Sequence, residues 1–230
     1  MVPDAAESTP EELAARVLDR IGTRTERYVL GIAGPPGAGK STLATAVRDA
    51  LNDAAGAGAA EVAPMDGFHL GTAELRAADA LARKGEPDTF DVPGYLRALR
   101  LLRETPVGQR VSWPTYDRRR HEPMPAGVWF DRQRIVISEG NYLLLDDFGT
   151  ARWSAVRECL DETWYLDAPI EVLQRRLLRR HIRGGKSREV ARTKVAQSDL
   201  MNAELVAKTR ERADLVLCAA GRRYRILSDH

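Results

Sequence analysis

The chain has 230 residues, 43% of them hydrophobic, enough to bury one full α/β core but too short for two large independent domains. Its 35 basic and 33 acidic side chains nearly cancel to a net charge of +2, which argues against a general nucleic-acid binder and leaves local arginine clusters near 118–120 and 175–183 to explain. Two cysteines, Cys159 and Cys218, are too few for a disulfide framework or a metal site and are read as small buried hydrophobes; without a basic-apolar leader or an 18-residue apolar run, a soluble cytoplasmic protein with no membrane partner is expected.

Thr9 is the predicted cap of an amphipathic helix over 10–21, with Glu11 and Glu12 in its first turn. Tyr28 to Ala33 reads as a short buried strand, and GPPGAGKS, from Gly34 to Ser41, follows at once and fills every position of G-x-x-x-x-G-K-S. A helical pattern over 41–51 comes next, so the loop sits between a strand and a helix, the setting in which such a loop cradles phosphate. Gly34, Gly37 and Gly39 let successive amides turn inward, Lys40 offers a charge to the outer phosphates, and Ser41 offers a hydroxyl to magnesium. The expected nucleotide-binding residues are therefore Gly34, Pro35, Pro36, Gly37, Ala38, Gly39, Lys40, Ser41 and Thr42, with ATP and Mg2+ as cofactors.

Residues 54–60 read as a linker and 61–65 as a second strand, ending in Asp66-Gly67-Phe68-His69. Helical patterns cover about 72–83 and 92–103, separated by a turn-rich segment. Residues 111–113 read as a short strand before a basic, proline-flanked loop, PTYDRRRHEPMP, in which Trp113 and Tyr116 form an aromatic pair suited to wall a pocket. The runs 134–138 and 163–166 are strands delivering Glu139 and Asp167, a helix over 169–182 is interrupted at 183–186 and resumes over 188–212, and 214–219 and 224–227 close the sheet. This alternation predicts one α/β domain with a mostly parallel sheet and helices on both faces, its ligands lying beyond the carboxyl ends of the strands.

Asp66, Glu139 and Asp167 all end strands there. Asp66 is the expected general base, a carboxylate that orients an attacking hydroxyl and takes its proton, while Glu139 beside the phosphate loop suits the magnesium ion together with Ser41. The plainer readings are an Asp-Gly turn for Asp66 and a capping carboxylate for Glu139. Arg176, Arg179, Arg180 and Arg183 recur at i, i+3, i+4 and i+7, so one helix face carries several cations able to neutralise charge on a migrating phosphoryl group. Gly184 and Gly185 provide a hinge, and Arg179, Arg183 and Arg188 are the expected phosphate contacts, Arg183 acting with Lys40 and Asp66 in catalysis. A basic face that grips nucleic acid is the competing reading, which the charge balance disfavours.

Together with MDGFHL, PDTFD, PTYDRRRHE, SEGNYLLLD and RRLLRRHIRGGKS, the loop GPPGAGKST makes the chain resemble the uridine kinase, phosphoribulokinase and pantothenate kinase group of P-loop kinases over about residues 28 to 220. It is most similar to members described as nucleoside- or nucleotide-kinase-like or as fructose transport system kinases. The resemblance implies a three-layer P-loop NTPase fold over 1–230, an acceptor-side insertion at about 67–128, an arginine-rich lid at about 179–190 and a homodimer. It implies that Asp66 is the catalytic base, that Asp91 contacts acceptor hydroxyls, and that Tyr116, Asp117, Arg118 and His121 shape the acceptor pocket. His69 stands where uridine kinases tend to carry tyrosine, and with Glu139 it completes the expected acceptor contacts. Asn202 is a further acceptor candidate, and 220–224 the expected neighbourhood of the adenine.

The activity this implies is transfer of the γ-phosphoryl group of ATP to a hydroxyl of a nucleoside, a sugar or a pantothenate-like metabolite, with that small molecule as the partner and no nucleic acid. The alternative is a nucleotide-dependent switch or ATPase; the guanine-selecting pattern N-K-x-D, which one class of such switches carries, does not occur in the sequence.

Overall fold

The structure, a computed structural model, describes residues 6–230. In chain order its strands are β1 (Glu7–Ser8), β2 (Tyr28–Ala33), β3 (Ala60–Pro64), β4 (Val111–Asp117), β5 (Glu122–Phe130), β6 (Ile135–Gly140), β7 (Glu162–Asp167), β8 (Leu215–Ala220) and β9 (Arg223–Asp229). The helices are α1 (Pro10–Ile21), α2 (Lys40–Ala55), α3 (Thr72–Ala77), α4 (Val92–Glu104), α5 (Ser154–Arg157), α6 (Ile170–Arg183), α7 (Arg188–Lys194) and α8 (Leu200–Ala207).

One sheet runs in the order β1-β9-β8-β7-β2-β6-β3, parallel from β8 to β3 and antiparallel at β9 and β1. Every residue of β2 is buried, as an apolar run must be when a central parallel strand is covered on both faces. On one face Leu43, Val47, Leu173 and Leu177 pack with Leu13 and Val17 of α1; on the other Tyr95, Leu99, Trp113 and Trp153 form an aromatic-rich layer. The result is the three-layer α/β arrangement that the alternation of elements predicts. Thr9 caps α1 as expected: its hydroxyl accepts from the Glu12 amide while the Glu12 carboxylate accepts from the Thr9 amide, satisfying two free donors.

Several elements differ from the sequence reading. The helix expected over 72–83 stops at Ala77, because the backbone enters the left-handed region at Asp79 (φ +50°), and only a short 3-10 turn follows at Leu81–Arg83. The helix expected over 188–212 is α7, a π-helical turn at Val195–Asp199, α8 and a 3-10 turn at Arg210–Arg212. The basic loop after 113 is instead a β-hairpin, β4 with β5, and His121 occupies its tip at φ +55°. Each strand of a two-stranded hairpin has one unpaired edge, which tolerates Pro123 and Pro125, and Pro114 falls at the register shift between Trp113 and Thr115. Trp113 walls no pocket: it is fully buried, packs on Phe68 and Tyr95, and donates from Nε1 to the Pro64 carbonyl at 3.0 Å. Cys159 is buried as expected, but Cys218 on β8 is half-exposed.

Arg27, just before β2, is 2% exposed and holds the base of the hairpin. Its guanidinium donates to the carbonyls of Leu102 and Thr105 at the end of α4, and to those of Gln109, Asp131 and Gln133, which flank β4 and β5. Burial pushes its pKa down, though arginine stays charged. Arg27→Met leaves those carbonyls without a donor and is expected to cost about 3 kcal/mol, read as a lower urea midpoint at unchanged slope.

Candidate active site

The parallel register places the site. β2 pairs with β6 so that Ile32 lies opposite Glu139 and Ala33 opposite Gly140, while β3 pairs with β6 on its other side, Pro64 opposite Glu139. The chain leaving β2 becomes the glycine loop, the chain leaving β3 becomes a 3-10 turn, Met65–Phe68, that carries Asp66, and Glu139 stands between them. Gly34, Gly37 and Gly39 have φ of +148°, +84° and +110°. At Gly34 a Cβ would lie 2.5 Å from the Leu166 carbonyl oxygen, so the loop passes too close to β7 for any side chain there. Pro35, Pro36 and Ala38 shape the remaining turn, closed by the Ala38 amide on the Pro35 carbonyl, and the amides of Thr42 and Leu43 close on Gly39 to begin α2.

Lys40 is buried, and its Nζ donates to the Pro35 carbonyl at 3.0 Å and to Asn141 Oδ1 at 2.7 Å. Burial pushes the ammonium down to about 8, opposed by the charges of Glu139 and Asp66 and reinforced by that of Arg180. Ser41 Oγ donates to Glu139 Oε1 at 2.8 Å. Glu139 is itself buried, which holds its carboxyl above the usual carboxylate range; the charge of Asp66 acts the same way, while Lys40 and the Ser41 hydrogen bond oppose. The hydroxyl of Ser41 and the carboxylate of Glu139 are hard oxygen donors that fit magnesium, which takes one or two protein ligands alongside phosphate oxygens and water. Among the described residues no group of three or more His, Cys, Asp or Glu forms an all-protein cation cage.

On the far side of Glu139, the half-exposed Asp66 faces Arg118, whose Nη2 lies 3.7 Å from Asp66 Oδ2. His69 packs against Phe90 (centroids 4.1 Å) and Tyr116 (4.7 Å), each ring tilted by 41° to the imidazole, and Lys84 Nζ stands 5.5 Å from the centre of the Tyr116 ring. The same Lys84 donates to the His121 carbonyl at 2.7 Å, so His121 is tied down by its backbone while its side chain is exposed at the hairpin tip. Asp91 is the N-cap of α4, accepting from the Gly94 amide at 2.8 Å; its other oxygen lies 3.9 Å from Arg97. Asp117 accepts from the Arg119 and Arg120 amides and so folds the hairpin turn. Asp167 ends β7 as expected, and Arg210, from a distant turn, pairs with it at 3.1 Å.

Arg176, Arg179, Arg180 and Arg183 line one open depression of about 320 Å³, as their helical spacing predicts. Arg176 is directed at the loop itself, its Nη1 donating to the carbonyls of Gly37 (3.2 Å) and Ala38 (2.7 Å). Arg188 opens α7 and is not part of that lining. Asn202 is buried in α8, and 220–224 covers the turn between β8 and β9, where Arg223 reaches Glu7 and Glu12. Three residues in contact with these groups carry no signal in the sequence: Asn141, two positions beyond Glu139; Arg176 as a clamp on the loop; and Lys84, in a segment without periodicity. Among the described residues no helix is long and apolar enough to cross a membrane.

Comparison with known proteins agrees with this architecture. The family model described as "Phosphoribulokinase / Uridine kinase family" matches residues 29–223. A protein of Escherichia coli K12 named "Uncharacterized protein YggC" is 36% identical over 191 residues, 83% of this chain and 77% of that protein. A "Putative uridine kinase" of Schizosaccharomyces pombe is 31% identical over 217 residues, 91% of this chain and 90% of that protein. The crystal structure of a "putative fructose transport system kinase" from a Silicibacter species is similar with a TM-score of 0.82 at 35% identity, covering 90% of this chain and 98% of that one. With the family model spanning all but the two ends of the chain, this protein belongs to the phosphoribulokinase/uridine kinase family and has the fold of its P-loop kinases.

Proposed function

We propose that the chain is an ATP- and Mg2+-dependent kinase that transfers the γ-phosphoryl group to a hydroxyl of a small metabolite of the nucleoside, sugar or pantothenate-like kind. The observation that carries this reading is positional: Glu139, hydrogen-bonded to Ser41 at the end of the glycine loop, lies opposite Pro64, and the turn that carries Asp66 begins at the next residue, which supports a donor side and an acceptor side meeting at Glu139. In the reaction the acceptor oxygen bonds to the γ-phosphorus, the bridging bond to the β-phosphate breaks, the hydroxyl proton passes to Asp66, and ADP leaves. In this reading loop amides and Lys40 hold the donor triphosphate, Arg176 fixes the loop's curvature from outside, and the arginines that share its depression would neutralise the charge that develops. Ser41 and Glu139 would hold magnesium, whose chemistry is to draw charge from the triphosphate oxygens.

The test is ADP release by purified protein with ATP and magnesium, screened against nucleosides, sugars, sugar phosphates and pantothenate. Release that depends on an added acceptor supports a kinase; release indifferent to every acceptor points to an ATPase. Lys40 adds a pH signature. Its depressed pKa means that a free site near pH 8 has already lost part of the charge a triphosphate needs, and binding draws the proton back. If the neutral lysine does not bind, ATP affinity falls about tenfold between pH 7 and pH 9, with net proton uptake on binding near pH 8. Calorimetric titration in buffers of different ionisation enthalpy measures both.

A further inference from the structure

His69 lies three residues beyond Asp66, at the end of the same 3-10 turn, and its hydrogen bonds determine which proton its ring carries. Nδ1 sits 2.8 Å from the Asp66 backbone carbonyl oxygen. A carbonyl can only accept, so Nδ1 bears the hydrogen. The ring is 4.1 Å from Phe90 and 4.7 Å from Tyr116, centroid to centroid, and this burial pushes its pKa below the ordinary histidine value, with Asp66 opposing and Lys84 adding to the shift. A neutral ring with its hydrogen on Nδ1 leaves Nε2 as a bare lone pair. Nε2 has no partner among the described residues and is reached by solvent.

Two acceptors thus stand on one turn, the Asp66 carboxylate and His69 Nε2. Resting on the kinase reading above, we propose that His69 Nε2 accepts a hydrogen bond from a second hydroxyl of the acceptor, adjacent to the one phosphorylated, so that the substrate class is a vicinal diol, a sugar or polyol unit. Lone pairs on neighbouring protein atoms reject an acceptor that places a carbonyl or ether oxygen there, because two acceptors then face each other without a proton between them. The Nδ1 bond to the Asp66 carbonyl orients the imidazole, and Phe90 and Tyr116, each tilted by 41° to it, crowd the ring, so the direction of the lone pair is set before the acceptor arrives. The carbonyl that orients the ring is that of Asp66, so one turn carries both recognition points.

The experiment pairs each sugar and nucleoside of an acceptor panel with its monodeoxy and O-methyl analogues at the neighbouring position. For any acceptor that supports ADP release, loss of the neighbouring hydroxyl is expected to raise KM about tenfold or more in the parent protein. His69→Asn, whose amide reproduces Nδ1 but not Nε2, should raise KM for the diol and erase the difference between diol and analogue. His69→Gln, which places an acceptor near the Nε2 position, should keep the difference. Equal use of the deoxy analogue by the parent protein overturns the proposal and leaves the kinase reading standing; no acceptor-dependent ADP release with any compound overturns that reading instead. The nitrogen-15 spectrum of the imidazoles is independent of turnover, and with four histidines in the chain it is assignable by substitution. A hydrogen on Nε2, or a doubly protonated His69 at pH 7, overturns the proposal whatever the panel shows.

Discussion

Asp66→Asn is expected to lower turnover about a thousandfold while leaving ATP affinity within about a factor of two, the signature of a lost general base rather than a lost binding group. The amide matches the carboxylate in size and still offers an oxygen towards Arg118, so the 3-10 turn keeps its shape. It cannot take the proton from an attacking hydroxyl. The substitution also reaches further, because the charge of Asp66 helps hold Glu139 above the usual carboxylate range and supports the Lys40 ammonium. Removing it lets Glu139 ionise more readily and depresses Lys40 further. The affinity fall between pH 7 and pH 9 should therefore begin at lower pH in the variant. Turnover by ADP release and affinity by calorimetry separate the two effects. Turnover retained within tenfold removes Asp66 as the base and leaves it as an orienting group for Arg118.

How much of this site is legible in the sequence depends on whether its parts are contiguous. The phosphate loop is a local structure, so Gly34 to Ser41 announces both its conformation and its place between β2 and α2. Asp66 and Glu139 are legible because parallel strands present their carboxyl ends on one edge of the sheet, and the apolar runs before them mark those strands. Contacts that depend on distant partners are not. Asp167 ends a strand as well as Glu139 does, yet Arg210 pairs with it, and nothing near either residue foretells the pair. The arginine face of α6 follows from helical spacing, but the turning of Arg176 onto the loop carbonyls depends on how α6 docks against the loop, which periodicity does not encode. The hairpin of β4 and β5 is hidden because its second strand carries Pro123 and Pro125, which a paired central strand would forbid and a free edge permits. Tyr116 lies beside His69 and Trp113 does not, since alternation along β4 sends Trp113 into the core beneath Phe68 while the bulge at Pro114 re-aims Thr115 and Tyr116.

That bulge makes Gly67 the second position where a small change should have a large effect. A Cβ on Gly67 would lie 2.1 Å from the Pro114 carbonyl oxygen, 2.4 Å from its carbonyl carbon and 2.9 Å from the Thr115 nitrogen. All three are backbone atoms, so no side-chain rotamer relieves the overlap. Neither partner yields easily. Pro114 is flanked by Trp113, whose ring is fully buried and whose Nε1 is bonded to the Pro64 carbonyl, and the turn itself is anchored by Phe68 at 5.1 Å from that indole. Gly67→Ala must therefore push the turn away from the hairpin, and the cost expected is about 3 kcal/mol of stability, at the upper end for overpacking. Asp66 and His69 ride on that turn, and Tyr116 rides on the hairpin. A displacement of about 1 Å between them is expected to lower kcat about a hundredfold, although the methyl group touches no substrate. Denaturant midpoint and kcat, measured on the same preparation, tell the two responses apart. A stability loss with kcat intact means the hairpin shifts as a unit with the turn; a kcat loss with affinity for ATP preserved means that the close approach of glycine to Pro114 sets the position of the base.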